Sequence, residues 1–415
     1  MPLLVRRNVT AWGPTALTSL ALLATSCVGQ DDNVSAPKAG SSASATSHGY
    51  IEGAQEAAEQ QSRLLLNDPA TGATRALDLI TGKVHEMSPI ADASGLTTDG
   101  RFGYLHTAGG TRIFDGGAWT VDHGDHVHYY RAAIRDVGRV PGDAGARVRG
   151  DAAVTAVTGE DNRAAIYHRA ELEKGEVGNP RALPGTYAGA VMPYAEHLLA
   201  LTDEDGSTKV VVHDREGKRL ASPDAECEAP RGDAVTRRGV VFGCADGALL
   251  ISEDDGGFAA EKIPYGAEVP AEERASHFRH RAGSDTLTAL AADRAVWVLD
   301  VLERTWTRVK TGPVVAVNTA GEGSPLLVLQ DDGALHGYDI TTGKEVSETK
   351  RLLTDVPEAR TDGAAGPAIE VDRSRAYLND PAGSRVYEID YNDNLRVART
   401  FDLDMKPALM VETGR

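Results

Sequence analysis

Eight times along this chain an apolar stretch runs into a small, mostly acidic turn, and this recurrence constrains the fold more than any other feature. The turns read Asn67-Asp68-Pro69-Ala70, Thr107-Ala108-Gly109-Gly110, Gly159-Glu160-Asp161-Asn162, Asp203-Glu204-Asp205-Gly206, Ala245-Asp246-Gly247, Ala291-Ala292-Asp293, Asp331-Asp332-Gly333 and Asn379-Asp380-Pro381-Ala382. Roughly ten residues after each turn, an alternating strand ends in an acid and a hairpin turn. The clearest pair is Leu77-Asp78-Leu79-Ile80-Thr81-Gly82-Lys83 and Tyr338-Asp339-Ile340-Thr341-Thr342-Gly343-Lys344. Weaker versions stand at Phe114-Asp115, His213-Asp214, Ser252-Glu253, Leu299-Asp300 and Ile389-Asp390, and the third repeat, near His168, lacks the acid. Four short strands per repeat, at a period of about 40 to 50 residues, is the signature of a β-propeller blade.

The chain therefore reads as all-β, a single propeller over residues 62–415 with eight blades, or seven given the irregular stretch 119–151. The best helix window, 52–66, carries no strong cap. The first repeat begins in mid-blade at Arg63-Leu64-Leu65-Leu66, while a spare strand, 407–412, ends the chain. The last strand is expected to complete the first blade, closing the ring and removing its exposed edges.

Ahead of the repeats, Arg6 and Arg7 precede an uncharged, mostly apolar run that leads into Ala24-Thr25-Ser26-Cys27. This pattern reads as a lipoprotein signal peptide over 1–27 with Cys27 as the lipidated residue, and it is too short for a spanning helix. The expected location is extracytoplasmic, lipid-anchored to the outer face of the cell membrane. Residues 28–61, rich in Ser, Ala, Gly and acids or amides without apolar periodicity, read as a flexible tether. Loss of Arg6 and Arg7 with the leader would take the formal charge from −18 to about −20. So acidic a surface disfavours nucleic acid and favours cations, although it equally serves solubility.

With Cys27 lipidated, Cys227 and Cys244 remain as an even pair in an oxidising compartment, and a disulfide is expected between them. Closing a loop of that length stabilises by about 3 kcal/mol in the chain-entropy model. Two buried thiols or a thiolate metal site are the alternatives.

The most chemically pointed stretch is Asp122-His123-Gly124-Asp125-His126-Val127-His128-Tyr129-Tyr130, which holds three of the twelve histidines. Side chains on a strand alternate, so His126 and His128 share a face, with His123 returning across the Gly124 turn. Neutral imidazoles suit zinc, and a carboxylate can ligate or fix a ring tautomer. His123, His126 and His128 are the candidate ligands, with Asp125 as carboxylate helper and a fourth ligand supplied from elsewhere. The alternative is a solvated polar loop. The cluster falls between repeats two and three, on strand or loop near a channel mouth. His106 is a further candidate from the adjacent repeat, with a satisfied surface histidine as the alternative. His277 and His280 stand among Arg274, Arg279 and Arg281 and read as a solvated loop or an anion contact.

On an exported chain of eight propeller-like repeats, the Asp122-His123-Gly124-Asp125-His126 motif followed by His128 resembles the AztD-type zinc metallochaperones. Supporting segments are Val191-Met192-Pro193-Tyr194, the Cys227 to Cys244 segment with Gly232-Asp233-Ala234 between, and Asp332-Gly333-Ala334-Leu335-His336. The resemblance runs through the mature domain and is strong at the histidine cluster. It implies an extracytoplasmic β-propeller that binds zinc and hands it to the solute-binding protein of a zinc ABC importer. The family pattern also places histidines on inner strands of the following repeats. Here those stretches read Ala146-Arg147-Val148-Arg149-Gly150, Thr186-Tyr187-Ala188-Gly189 and Ala229-Pro230-Arg231-Gly232, and Arg149 and Arg231 cannot ligate zinc.

Two other classes compete. Propellers also host lactonases and quinone-dependent dehydrogenases at the channel mouth, and in a metal-dependent hydrolase Asp125 or Asp122 would serve as base beside the metal. The chain has no Gly-x-Ser-x-Gly elbow, dinucleotide fingerprint or phosphate loop, so no enzyme is expected. A surface-anchored propeller for protein–protein interaction with a degenerate metal site is the second rival. The chain is expected to act as a monomer.

Overall fold

A computed structural model describes residues 51–123, 126–292, 294–356 and 365–415. Among them are eight four-stranded antiparallel sheets and one three-stranded sheet. The leader, Cys27, the tether up to residue 50, and Asp125 lie outside the described residues.

The acidic turns explain the sequence rhythm. Asp78 accepts hydrogen bonds from the Ile80 and Thr81 backbone N–H groups and the Thr81 hydroxyl at 3.1, 2.8 and 2.9 Å. Asp339 does the same for the Thr342 N–H and hydroxyl at 2.6 and 2.7 Å. Each carboxylate thus satisfies the donors of a tight turn that a strand ladder leaves unpaired. Gly82 and Gly343 follow at φ of 71° and 66°, a left-handed conformation that costs glycine nothing.

The eight sheets meet in cyclic order, mostly through their first strands. Leu409–Thr413 touches Gly95–Thr98, and the series continues through Arg147–Gly150 to Met192–Tyr194, which meets the fifth sheet at Gly239–Cys244; from that sheet's Asp233–Thr236 it runs through Ser276–Arg279, Val314–Thr319 and Ile369–Val371 back to Leu409–Thr413. This is a closed β-propeller. The closing strand pairs with Arg63–Asn67 in antiparallel register, Arg63 opposite Thr413 and Asn67 opposite Leu409, and every residue of both strands is buried. Ring closure by the C-terminal strand is therefore as expected from the sequence.

Between neighbouring sheets the inward side chains interlock. Val241, Leu250 and Ile263 of the fifth sheet pack against Leu287, Trp297 and Leu299 of the sixth. Each fully buried side chain of this size contributes about 1.5–3 kcal/mol. Cys227 and Cys244 form a disulfide within the core between the fourth and fifth sheets.

Two expectations need correction. The window 52–66 is not helical: it holds strands Gln55–Ala57 and Arg63–Asn67. The Leu64-Leu65-Leu66 run is apolar on every side because sheets flank it on both faces, and such a run lacks the alternation that marks a half-exposed strand. The tether also ends earlier than residue 61, since Gln55–Ala57 is the edge strand of the three-stranded sheet.

Candidate metal centre

The histidine cluster lies on a hairpin inserted into the second sheet, between its third strand, Gly110–Asp115, and its outermost strand, Arg135–Val140. The sequence placed it between repeats two and three. The shift arises because the fourth strand of repeat two comes only after the insertion, which also accounts for the irregular stretch from residue 119. Strands Ala118–Asp122 and Val127–Arg131 form the hairpin, and Gln55–Ala57 adds a third strand alongside.

Register determines what each face carries. Val121 pairs with His128, Trp119 with Tyr130, and Glu56 with Tyr130 from the other side. Trp119 and Tyr130 stack at 5.4 Å and, with Ala54, form a small buried cluster at the base of the hairpin. The Arg101 guanidinium lies 3.9 Å from the Trp119 ring while it holds Asp115 through two bonds of 3.1 and 2.8 Å. The apolar base is thus fixed to the second sheet by a buried cation against an aromatic face.

The three imidazoles gather at the other end. The His123 N–H donates to the His126 carbonyl at 3.0 Å, which closes the turn. Ring centroids are 4.8 Å apart for His123 and His126, 5.4 Å for His123 and His128, and 4.9 Å for His126 and His128. One nitrogen from each ring can be chosen so that all lie within 4.8 Å of one another. Three rings bound to one zinc ion at about 2.0–2.1 Å would have centroids roughly 5 Å apart, so the residues fit this ion with small side-chain adjustment. His123 and His126 are exposed and His128 is half-buried.

Glu56 was not anticipated. Its Oε1 lies 2.6 Å from His128 Nδ1, so that nitrogen donates to the carboxylate and Nε2 keeps its lone pair for a metal. No local signal pointed to it. A three-residue strand with two exposed positions has no apolar rhythm, and only pairing with residues 129–131 brings it to the site.

The opposite face of the hairpin is different in character. Asp122 lies 3.7 Å from Arg237 and 3.8 Å from Arg373, and with Thr120, Tyr129 and Arg281 it lines a cavity of about 200 Å³. Asp122 therefore lies within ion-pair reach of two guanidinium groups on this face. These arginines stand on turns of the fifth and eighth sheets, so the hairpin reaches across one mouth of the ring.

Other histidines are held elsewhere. His106 is buried, with Nε2 and Nδ1 each 3.0 Å from a threonine hydroxyl, Thr97 and Thr111. Burial, reinforced by the Arg149 charge, pushes its pKa down to about 4. It is a satisfied core residue, not a surface one or a fourth ligand. His280 is no solvated loop residue either: its Nε2 lies 3.2 Å from the Val235 carbonyl, and burial pushes its pKa down to about 4. It lines a channel cavity of about 400 Å³ together with Arg149, Asp233, Glu370 and Arg415. Arg149 donates to Asp233 at 2.6 Å, so the wall of this cavity carries a charged pair where the resemblance would place a histidine. Arg231 points away, donating to the Ala271 carbonyl at 2.8 Å.

No family model and no curated protein matches the sequence. Solved structures do. A crystal structure of Citrobacter koseri AztD aligns with a TM-score of 0.69 at 18% identity, covering 85% of this chain and 98% of that one. Apo AztD from Citrobacter koseri gives 0.68 at 17% identity over the same shares of the two chains. The dihydro-heme d1 dehydrogenase NirN, in complex with DHE, gives 0.53 at 13% identity, covering 85% of this chain and 75% of that one. The fold is therefore an AztD-like β-propeller.

Proposed function

We propose that this protein is an extracytoplasmic zinc carrier that loads the ion on the inserted hairpin and passes it to another protein, the solute-binding protein of a zinc ABC importer. The observation that carries this reading is the convergence of His123, His126 and His128 on one side of a hairpin tip, with Glu56 behind His128. Three imidazoles from one side leave a coordination position of a tetrahedral ion facing solvent. A partner's ligand can enter there and displace the exposed His123 and His126 in turn, so the ion need never be free. A histidine set enclosed in the channel would bind more tightly but would release slowly.

A zinc hydrolase needs a base beside the metal-bound water; of the two carboxylates the sequence offers for that part, Asp122 lies against Arg237 and Arg373, and Asp125 is outside the described residues. A lipid on Cys27 would hold the protein at the membrane where the importer works, and the carrier is proposed to act as a monomer without catalysis of its own.

The test is a zinc titration of the mature domain against a chelating dye, alongside His126→Ala and His280→Ala. Zinc binding should weaken by at least about 100-fold in His126→Ala and stay unchanged in His280→Ala. Wild type should then load a purified solute-binding protein in the presence of a small-molecule chelator, and His126→Ala should not. Equal affinity in wild type and His126→Ala would remove the hairpin from consideration, and loading that the chelator abolishes would remove direct transfer.

A further inference from the structure

A second group of side chains with metal-ligating chemistry stands in the seventh sheet, around His336. Strand Leu335–Tyr338 pairs with strand Glu345–Glu348, and the register puts His336 opposite Glu348. Asp332 sits four residues earlier, in the turn that leads into the first of these strands. One atom each from Asp332, His336 and Glu348 lie within 4.8 Å of one another. His336 is only 6% exposed, whereas both carboxylates reach solvent.

The His336 ring is gripped from both ends. Nδ1 lies 3.0 Å from Glu345 Oε1, and Nε2 lies 3.1 Å from Asp332 Oδ2. A neutral imidazole has one N–H, so it can donate to only one of these two acceptors. With Nδ1 donating to Glu345, Nε2 is left as an acceptor that faces the Asp332 carboxylate, with a Glu348 oxygen within the same 4.8 Å group, and acceptors that meet in this way are bridged by a cation.

We propose that Asp332, His336 and Glu348 form a second site for a divalent cation of the zinc class. Nδ1–H donates to Glu345, which fixes the tautomer and leaves the Nε2 lone pair for the ion; Asp332 and Glu348 supply oxygens from either side. One nitrogen and two oxygens is a donor set suited to zinc and neighbouring first-row ions, and less so to calcium, which takes oxygen alone. The arrangement repeats the carboxylate-backed imidazole of His128 with Glu56, but here the imidazole itself is buried, whereas His128 is half-buried. Ligand exchange should therefore be slower than at the hairpin. The site would hold an ion in place rather than hand it on, and it stands whether or not the hairpin transfers zinc.

Stoichiometry separates the two sites. Zinc titrated into the full mature chain by calorimetry, with metal content measured after desalting, should give two ions per wild-type chain. His126→Ala and Glu348→Gln should each lose one, a different one, and the double variant should lose both. Because Glu348 is exposed, Glu348→Gln leaves packing intact, and its melting curve in chelator should match that of wild type. Glu345→Gln should weaken the second site about 10- to 100-fold without changing the first. One ion in wild type, lost in His126→Ala and kept in Glu348→Gln, overturns the second site and leaves the hairpin standing. Two ions in both wild type and Glu348→Gln would overturn it as well.

Discussion

Two sheets tie the start of the described chain to distant partners, and they do so in opposite ways. Arg63–Asn67 joins the closing strand Leu409–Thr413 with every residue of both strands buried. A few residues earlier, Gln55–Ala57 joins the hairpin strand Val127–Arg131, where only Tyr130 is buried among the paired positions. The first pairing carries the ring and the second carries the candidate site. Stability is concentrated where apolar area is buried, and exposed, lightly packed segments are where local opening and partner access are cheapest. The difference places the candidate site on an element outside the pairing that closes the ring.

The sharpest way to break this comparison is to remove the closing strand. Deleting residues 404–415 exposes the buried edge of Arg63–Asn67 and should abolish cooperative melting or cause aggregation, read by calorimetry and light scattering. A truncated chain that melts like the full one would mean that closure does not carry the ring.

A smaller effect sits on the same strand. Glu412 is fully buried, and burial pushes its pKa from 4.5 up to about 7, with Asp372 and Glu370 acting in the same direction and Arg415 opposing. The folded state then holds a proton that the unfolded state has lost between those values. Its contribution to stability is fully present below pH 4.5 and is lost as pH rises through 7. Glu412→Gln keeps the shape without the charge and should stabilise the protein by up to about 3 kcal/mol at pH 8 relative to wild type, with the gain vanishing near pH 4. Denaturant midpoints of both proteins across pH measure it, and a difference independent of pH would refute the assignment.

The smallest expected effect belongs to the site sheet. Glu56→Gln should lower zinc affinity about 10-fold, the lower end for a carboxylate that orients a metal-bound imidazole, while melting moves by less than about 0.5 kcal/mol. A large drop in melting temperature with unchanged zinc binding would reverse the roles of the two sheets.

Much of this was legible in the order of residues. The strand-and-turn rhythm gives the propeller because Asp78 and Asp339 satisfy their own turns within three residues, a purely local event. The histidine face was readable for the same reason, since His126 and His128 are two apart on one strand and His123 is a turn away. The cysteine pair followed from parity and compartment, and the structure joins it.

Tertiary structure decided what depends on residues far apart in sequence. Glu56 reaches His128 only because Gln55–Ala57 adds to a hairpin more than sixty residues later, and a short, polar strand shows no pattern that foretells its partner. His106 and His280 look like surface residues in sequence, and neighbouring strands bury them and hold their rings neutral. Asp122 stands next to His123 in sequence, yet strand alternation brings it within reach of Arg237 and Arg373 of other sheets. Nothing next to His336 in sequence marks Glu345 or Glu348 as its neighbours, and strand pairing brings these carboxylates to the ring. Sequence fixes periodicity and local hydrogen bonding because both act over a few residues. The second layer around each imidazole is set by strand register, which the packing of the whole ring determines.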